Sequence, residues 1–321
     1  MIQQEMMELP KPLDQLTATE LEKKACIGKV MTYTLKSLTD TFVNKGFQWL
    51  LPVALSQSTD PLWPDPGASI EKRIEVDIYG KPVRTTASMI IHKLVASSTA
   101  YPKLFILSPN IRIEKAERAK TGKHIYEFTQ LDFEMCNAES KDVFSLVEDA
   151  ICILIKDLKR EMNSELSQLC RCESIQVPKV PFKIYDRAEL EAKYGSDWEA
   201  GIAEETTEPV WITNIPREFY DFEDFNTGKW DNYDLFLPQF GEVLSGAKRE
   251  YEYTKILSKI ERDQVKKDNY SLVLKMAKEG RLKPTAGAGI GMERLVGWIS
   301  GVKHIAECQP FPRVPGSVQE L

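Results

Sequence analysis

Apolar positions recur at three- and four-residue intervals along residues 27–42: Ile27, Val30, Met31, Leu35, Leu38 and Phe42, with Thr34 on the same stripe. That is the period of a helix with one buried face. Thr19 and Glu22 fit a capping box near its start, and Gly46 marks its end. Residues 47–53 then read as a strand. A second helical stripe, Phe144, Val147, Ile151, Leu154 and Leu158, runs through residues 141–162, and residues 88–98 predict a shorter helix. Between these helices the period changes to two, the mark of strands. Asn110, Arg112 and Glu114 share one face there, with Ile111 and Ile113 on the other. On the returning run Phe128, Gln130 and Asp132 oppose Leu131, Phe133 and Met135, so residues 104–135 predict two paired strands. Residues 182–185 and 210–215 predict further strands, 230–238 and 242–249 a strand pair, and 250–282 a helix. Residues 60–67 (DPLWPDPG) form a proline-rich loop, 164–181 a polar connection, and 196–208 an acidic surface excursion. Strands paired mostly as hairpins and mixed with helices predict an α+β fold built on an antiparallel sheet. Residues 1–16 read as a tail preceding one domain over residues 17–321.

The polar face of the predicted hairpin carries an arginine, carboxylates, amides and one aromatic ring above an apolar back. Polar groups on a sheet face cost free energy unless partnered, so the cluster points to a ligand; a half-solvated hairpin is the alternative. Arginine suits a phosphate oxygen and phenylalanine a purine ring. Near the C-terminus, PTAGAGIGMERLVGWISG spans residues 284–301, with Gly287, Gly289 and Gly291 leading into the helical stripe Leu295, Val296, Ile299. Glycines let a backbone approach a ligand closely, and Arg294 stands in the first helical turn within reach of phosphate. A dinucleotide-binding βαβ unit fits poorly, since it needs a following strand and an acid roughly 20 residues on. Only a short proline-rich tail follows here.

Composition narrows the picture. The 321 residues are 42% hydrophobic and 28% charged, ordinary for a globular protein. No apolar run is long enough to cross a membrane and the N-terminus lacks the apolar block of a secretory leader, so no membrane association and a cytoplasmic address are expected. Six cysteines and three histidines are too scattered for a zinc cluster. A net charge of −6 lacks the basic footprint of a nucleic-acid binder.

Residues 104–135 resemble motif 2 of the class II aminoacyl-tRNA synthetases, with Arg112 and Glu114 in its arginine-x-glutamate element. Residues 284–301 resemble motif 3, ending in Glu293–Arg294, and residues 19–52 resemble motif 1. YEFTQLD and HIAECQPFPRVPG are similar to the aspartyl/asparaginyl subgroup. The resemblance implies an antiparallel sheet flanked by helices, a homodimer formed through motif 1, and Mg2+-dependent attack of a carboxylate on the α-phosphate of ATP. It implies that Arg112 and Arg294 are catalytic, Arg112 at the α-phosphate, Arg294 and His124 at the distal phosphates. Phe128 would stack on adenine and Glu114 accept from its amino group, with Glu242, Gly289 and Gly291 completing the ATP site. Asp234, Glu242 and Ser245 would hold Mg2+. Ser88, Lys93, Gln130, Asp132 and Arg249 would bind aspartate, Lys93 and Arg249 gripping carboxylates and Asp132 the α-ammonium. Two cations suit aspartate better than asparagine.

Departures from the pattern refine the expectation. Aspartyl and asparaginyl synthetases carry an anticodon-reading barrel before motif 1, whereas this chain begins essentially at motif 1, so tRNA binding is not expected. Where aspartyl synthetases read Ser-Pro-Gln, this chain has Ser88-Met89-Ile90, and Thr59-Asp60-Pro61-Leu62-Trp63 replaces their Glu-Gly-Gly loop. Ala306 stands where synthetases have arginine. Both of the first two changes fall at the α-amino end of the substrate. The expectation is that aspartate binds turned round and forms a β-aspartyl-adenylate, which ammonia converts to asparagine. This pattern resembles the archaeal asparagine synthetases related to asparaginyl-tRNA synthetase. Ammonia would be the direct donor, because Ile2 stands where an N-terminal-nucleophile amidotransferase needs cysteine or serine. The alternatives are a synthetase charging tRNA without an anticodon-binding domain, and a non-catalytic adenylate-binding paralogue.

Overall fold

The computed structural model describes residues 9–62 and 70–320. The first half of the expected tail and most of the DPLWPDPG loop, Trp63 included, lie outside the described residues. Nine helices are described: α1 (Ala18–Asn44), α2 (Ile90–Thr99), α3 (Ser140–Glu161), α4 (Asn163–Gln168), α5 (Arg187–Tyr194), α6 (Trp198–Glu205), α7 (Tyr253–Arg262), α8 (Ser271–Lys278) and α9 (Met292–Ser300). Among the described residues no helix is long and apolar enough to cross a membrane.

The central sheet has eight strands: β1 (Gln48–Leu50), β2 (Lys103–Ile111), β3 (Glu127–Cys136), β4 (Lys183–Asp186), β5 (Val210–Thr213), β6 (Asn232–Leu237), β7 (Gly241–Lys248) and β8 (Thr285–Gly291). Their spatial order is β1-β2-β3-β8-β7-β6-β5-β4. The fold is α+β, and the inner pairs are antiparallel, as expected from the hairpin patterns. The two edge pairs are parallel instead. Parallel neighbours need a crossover connection; the one joining β4 to β5 runs through α5 and α6. The acidic stretch at 196–208 is therefore a helical crossover rather than a surface excursion.

Several boundaries move for local reasons. The capping box of α1 uses Thr17 and Glu20, two residues before the expected pair: Thr17 Oγ1 accepts from Glu20 N at 3.3 Å while Glu20 Oε2 accepts from Thr17 N at 2.7 Å. Both pairs fit the motif, and Thr19 and Glu22 are left on the exposed face of the helix. The expected helix over 250–282 breaks into α7 and α8 where Gln264 adopts a left-handed φ of 53°. Tyr270 turns inward at the break and donates to the Thr59 carbonyl at 2.8 Å.

The alternation of β3 decides what each sheet face does. Leu131, Phe133 and Met135 join the core formed with α1, α3 and α9. The Phe42 ring of α1 lies 5.6 Å from Phe105 and 5.1 Å from Phe133. Gln130, Asp132 and Glu134 point the other way, toward α2, whose Lys93 donates to Asp132. On β8 the glycines take this polar face while Ala286, Ala288 and Ile290 enter the core. These glycines sit in a central strand, where they supply space rather than a turn. A Cβ on Gly287 would land against the Phe133 carbonyl and 2.4 Å from Glu134 Oε2, and one on Gly289 would stand 2.9 Å from Asp132 Oδ1.

Two alanine substitutions should therefore move stability in opposite directions. Gly287→Ala overpacks a closed strand pair and should cost about 1–3 kcal/mol. Gly28→Ala, in α1 with no atom within 4 Å of the added methyl, should gain roughly 0.8–1 kcal/mol of helix propensity. Urea denaturation midpoints of the two variants check both signs.

Candidate active site

A cleft of about 730 Å³ opens over β3, β7 and β8. Arg112, Glu114, His124, Phe128, Glu242, Gly289, Gly291 and Arg294, the nucleotide residues expected from sequence, all line it, as does Gln130, expected for aspartate. Arg112 follows the last residue of β2, and its guanidinium lies 5.2 Å over the Phe128 ring. Its Nε donates to the Ala87 carbonyl at 3.1 Å, and Nη2 stands 3.9 Å from Asp60 Oδ2. Glu114 forms its close ion pair with Arg118 instead, at 3.5 Å. Burial pushes the Glu114 carboxyl above the usual range, with Arg118, Arg112 and Arg294 opposing.

His124 enters the cleft as a neutral ring. Burial first, then the charges of Arg294, Arg118, Lys123 and Arg112, hold its pKa down to about 2. Its Nε2 accepts from Arg118 Nη2 at 2.5 Å, and Nδ1 meets Thr121 Oγ1 at 2.6 Å. Thr121 Oγ1 already donates to the Arg118 carbonyl, which assigns the ring proton to Nδ1. The positive charge here comes from Arg118 and Lys123, two cleft residues that sequence reasoning missed. The signal was the basic spacing of ERAKTGKH between the two strands.

Asp234 and Ser245 face each other across β6 and β7, and a bulge after Leu235 brings Glu242 opposite Phe236. Arg217, also missed, donates from Nη2 to Asp234 Oδ2 at 2.5 Å and from Nη1 to Ser245 Oγ. Asp234 Oδ1 is buried with no hydrogen-bond partner. Burial lifts this carboxyl to about 6, Arg217 opposes, and Glu242 adds to the rise. Glu242 meets Arg294 Nη1 at 3.2 Å. Among the described residues no group of three or more His, Cys, Asp or Glu is arranged for a metal. A partnerless buried oxygen on Asp234 with Glu242 at the cleft wall does fit Mg2+, which takes one or two carboxylates together with substrate phosphates.

The amino-acid residues lie deeper. Lys93 Nζ donates to Asp132 Oδ1 at 3.0 Å, the Phe133 carbonyl at 3.2 Å and the Ala288 carbonyl at 2.9 Å, which uses all three of its hydrogens. Arg249 donates to Glu134 Oε1 at 3.2 Å, Asp221 Oδ1 at 2.6 Å and the Gly287 carbonyl at 3.1 Å. The expected two-cation grip is thus already balanced by Asp132, Glu134 and Asp221. An unpaired-cation argument for aspartate over asparagine does not follow from these residues. Gln130 Oε1 accepts from Asn110 Nδ2 at 2.6 Å. Ser88 is buried at the start of α2, where its Oγ accepts from Ile90 N at 3.2 Å.

Two further groups complete the walls. Ser196, Asp197, Glu199 and Ala200 line the cleft because Trp198 and Ile202 anchor α6 against Phe236. That i, i+4 apolar pair within the acidic run was the legible signal. Glu218, after β5, also faces the cleft, and burial lifts its carboxyl well above the usual range, with Asp60 and Asp221 adding to the rise.

Comparison with known proteins follows the same lines. Residues 69–315 match the family model for tRNA synthetases class II (D, K and N). An asparagine–tRNA ligase from Koribacter versatilis is 29% identical over 91% of this chain and 69% of its own length. One from Thermoplasma acidophilum is 25% identical over 89% of this chain and 68% of its own. Among solved structures, asparaginyl-tRNA synthetase from Pyrococcus horikoshii complexed with asparaginyl-adenylate superposes with a TM-score of 0.81 at 23% identity, covering 97% of this chain and 76% of that one. The Entamoeba histolytica enzyme with the same adenylate gives 0.81 at 18% identity over 98% and 74%.

Glu293 supplies a test that needs no ligand. It is 5% exposed, accepts from Thr129 N at 3.1 and 3.0 Å and from Gln309 Nε2 at 3.2 Å, and burial lifts its carboxyl to about 7. A folded pKa above the unfolded one gives stability that is complete below about pH 4.5 and lost as pH rises through about 7. Wild-type stability should fall by up to about 3 kcal/mol between pH 4.5 and 8 from this group. Glu293→Gln should flatten that slope in urea titrations; an unchanged slope would assign it elsewhere.

Proposed function

The chain belongs to the tRNA synthetases class II (D, K and N) family, and on that premise we propose that it is an AMP-forming ligase that activates an acidic or amide amino acid with ATP. One observation carries this reading: Arg112, Arg118, Lys123 and Arg294 converge on a cleft whose aromatic wall is Phe128. ATP lies with its base against Phe128 and its phosphates among the four cations. A substrate carboxylate attacks the α-phosphate, pyrophosphate leaves, and Arg112 takes the charge that builds on the α-phosphate oxygens. Asp234 and Glu242 would hold Mg2+, which when bound neutralises charge on the phosphates.

For the second half-reaction we propose ammonia as the acceptor and aspartate as the substrate. The supporting observation is Ile90, which stands where aspartyl synthetases carry a glutamine for the α-ammonium. It is 3% exposed and packed with Leu94 and Phe219. Aspartate turned round puts its β-carboxylate at the α-phosphate, and ammonia attacks the β-aspartyl-adenylate to give asparagine and AMP. Ammonium must first lose a proton, and Glu218 on the cleft wall is the carboxylate matched to that task. Residues 17–321 act as one catalytic domain in this reading. The exposed Trp49 and Leu51 of the motif 1 segment suit a homodimer contact. A second reading has transfer to tRNA as the outcome. The names of the Koribacter and Thermoplasma relatives favour it over ammonia, and the balanced Lys93 and Arg249 leave asparagine admissible.

The experiment supplies purified protein with ATP, Mg2+ and either amino acid, adding ammonium or tRNA separately. Asparagine and AMP formed only with aspartate and ammonium are the expected products. Charged tRNA instead would establish the second reading, and absent AMP with either acceptor would sink both. Arg112→Ala should lower AMP formation by at least about 100-fold; retained turnover would remove Arg112 from the mechanism.

A further inference from the structure

Lys259, in the last turn of α7, has no solvent exposure. Its Nζ donates to the backbone carbonyl of Asp221 at 2.5 Å, stands 3.5 Å from Glu250 Oε2 and lies 5.6 Å over the Trp230 ring. Glu250 is equally buried. Its Oε1 accepts from Tyr251 N at 3.1 Å and Glu252 N at 3.2 Å, while Oε2, the oxygen nearest the lysine, has no hydrogen-bond partner. Burial pulls the ammonium below its usual pKa, and Glu250, then Asp221 and Glu223, oppose that. A buried ion pair of this kind is weak evidence for stability, so its placement calls for another account.

The placement is informative. Asp221 and Arg249 face each other as an isolated antiparallel bridge, and Asp221 Oδ1 takes Arg249 Nη1 at 2.6 Å. Glu250 is the residue after Arg249, and its N–H donates to the Tyr220 carbonyl at 2.8 Å. Lys259 thus holds the residue that orients the arginine and the residue that follows it. Three of the five Arg249 N–H groups are committed to Glu134, Asp221 and the Gly287 carbonyl. The direction of the other two depends on the guanidinium plane that Glu134 and Asp221 set.

We propose that Lys259 is a positioning residue for the amino-acid pocket: its ammonium clamps the Asp221 carbonyl to the Glu250 carboxylate and thereby fixes the guanidinium plane of Arg249 toward a substrate carboxylate. The proposal rests on Arg249 as an amino-acid contact in the reading above. It reaches beyond that reading because Lys259 itself touches neither cleft nor substrate.

The test is ATP–pyrophosphate exchange with whichever of aspartate or asparagine supports it. Lys259→Met removes the clamp but leaves the Glu250 carboxylate buried and unpaired. The double variant Lys259→Met, Glu250→Gln removes that charge as well and protects the fold. In the double variant the KM for the amino acid should rise at least tenfold while the KM for ATP stays within twofold. A purely structural role would reduce the active fraction and leave both KM values alone, and that result overturns the proposal. An unchanged amino-acid KM in a folded, active variant overturns it too, leaving the ligase reading intact. Absent exchange in the wild type with either amino acid sinks both together.

Discussion

Charge buried on one face of the sheet constrains everything else in this molecule. Lys93, Asp132, Glu134, Asp221 and Arg249 are each no more than 4% exposed. Charges so deep persist only when paired and hydrogen-bonded, and removing one partner costs about 3–5 kcal/mol. The five come from four separate segments: α2, β3, the turn after β5 and the residue after β7. Their pairing fixes how those segments meet. Room for the lattice exists because β8 carries Gly287 and Gly289 where side chains would collide with Glu134, Asp132 and Gln130. The apolar back of the same strands closes against α1, α3 and α9, so sheet position and charge position are set by one alternation.

That alternation is also what made the site legible. Period-two patterning in residues 104–135 put Asn110, Phe128, Gln130 and Asp132 on one face, and the strand register pairs Asn110 with Phe128 and the carboxamides of Asn110 and Gln130 at 2.6 Å. The cleft itself was legible because most of the residues expected to line it cluster in two short runs. What was not legible depends on partners distant in sequence. Lys93 and Arg249 look like free cations in the sequence; only the fold brings Glu134 and Asp221 to Arg249 and all three acceptors to Lys93. Arg217 and Glu218 sit in a turn with no periodicity to mark them. The parallel edge strands escaped because period-two patterns carry no information on strand direction.

The cleft has two electrostatic ends. Arg112, Arg118, Lys123 and Arg294 gather around a histidine that carries no charge of its own, so the ring serves to orient Arg118. Toward Glu218 the neighbours include Asp60 and Asp221, which raise its carboxyl, and Arg217, which opposes them. A polyanion with an aromatic base fits the first end and a cationic group the second. A gradient of this kind biases the orientation of a ligand that carries both features.

Selectivity between a second carboxylate and an amide then rests on what the lattice leaves over. Lys93 has no hydrogen to spare, and Arg249 keeps two. On the acceptor side Asp132 Oδ2 and Glu134 Oε2 are buried without a hydrogen bond. Unpaired buried oxygens are costly and suit a donor-rich ligand such as an α-ammonium. One arginine edge and two acceptor oxygens match the carboxylate and ammonium of a zwitterion, features that aspartate and asparagine share. Under the proposed function, any distinction between them falls at the far end of the substrate, toward Ile90, Glu218 and Asp60. A carboxylate arriving there meets like charge unless Arg112 or a proton on Glu218 answers it. Burial, Asp60 and Asp221 raise the Glu218 carboxyl, so this end of the cleft favours a proton on that group.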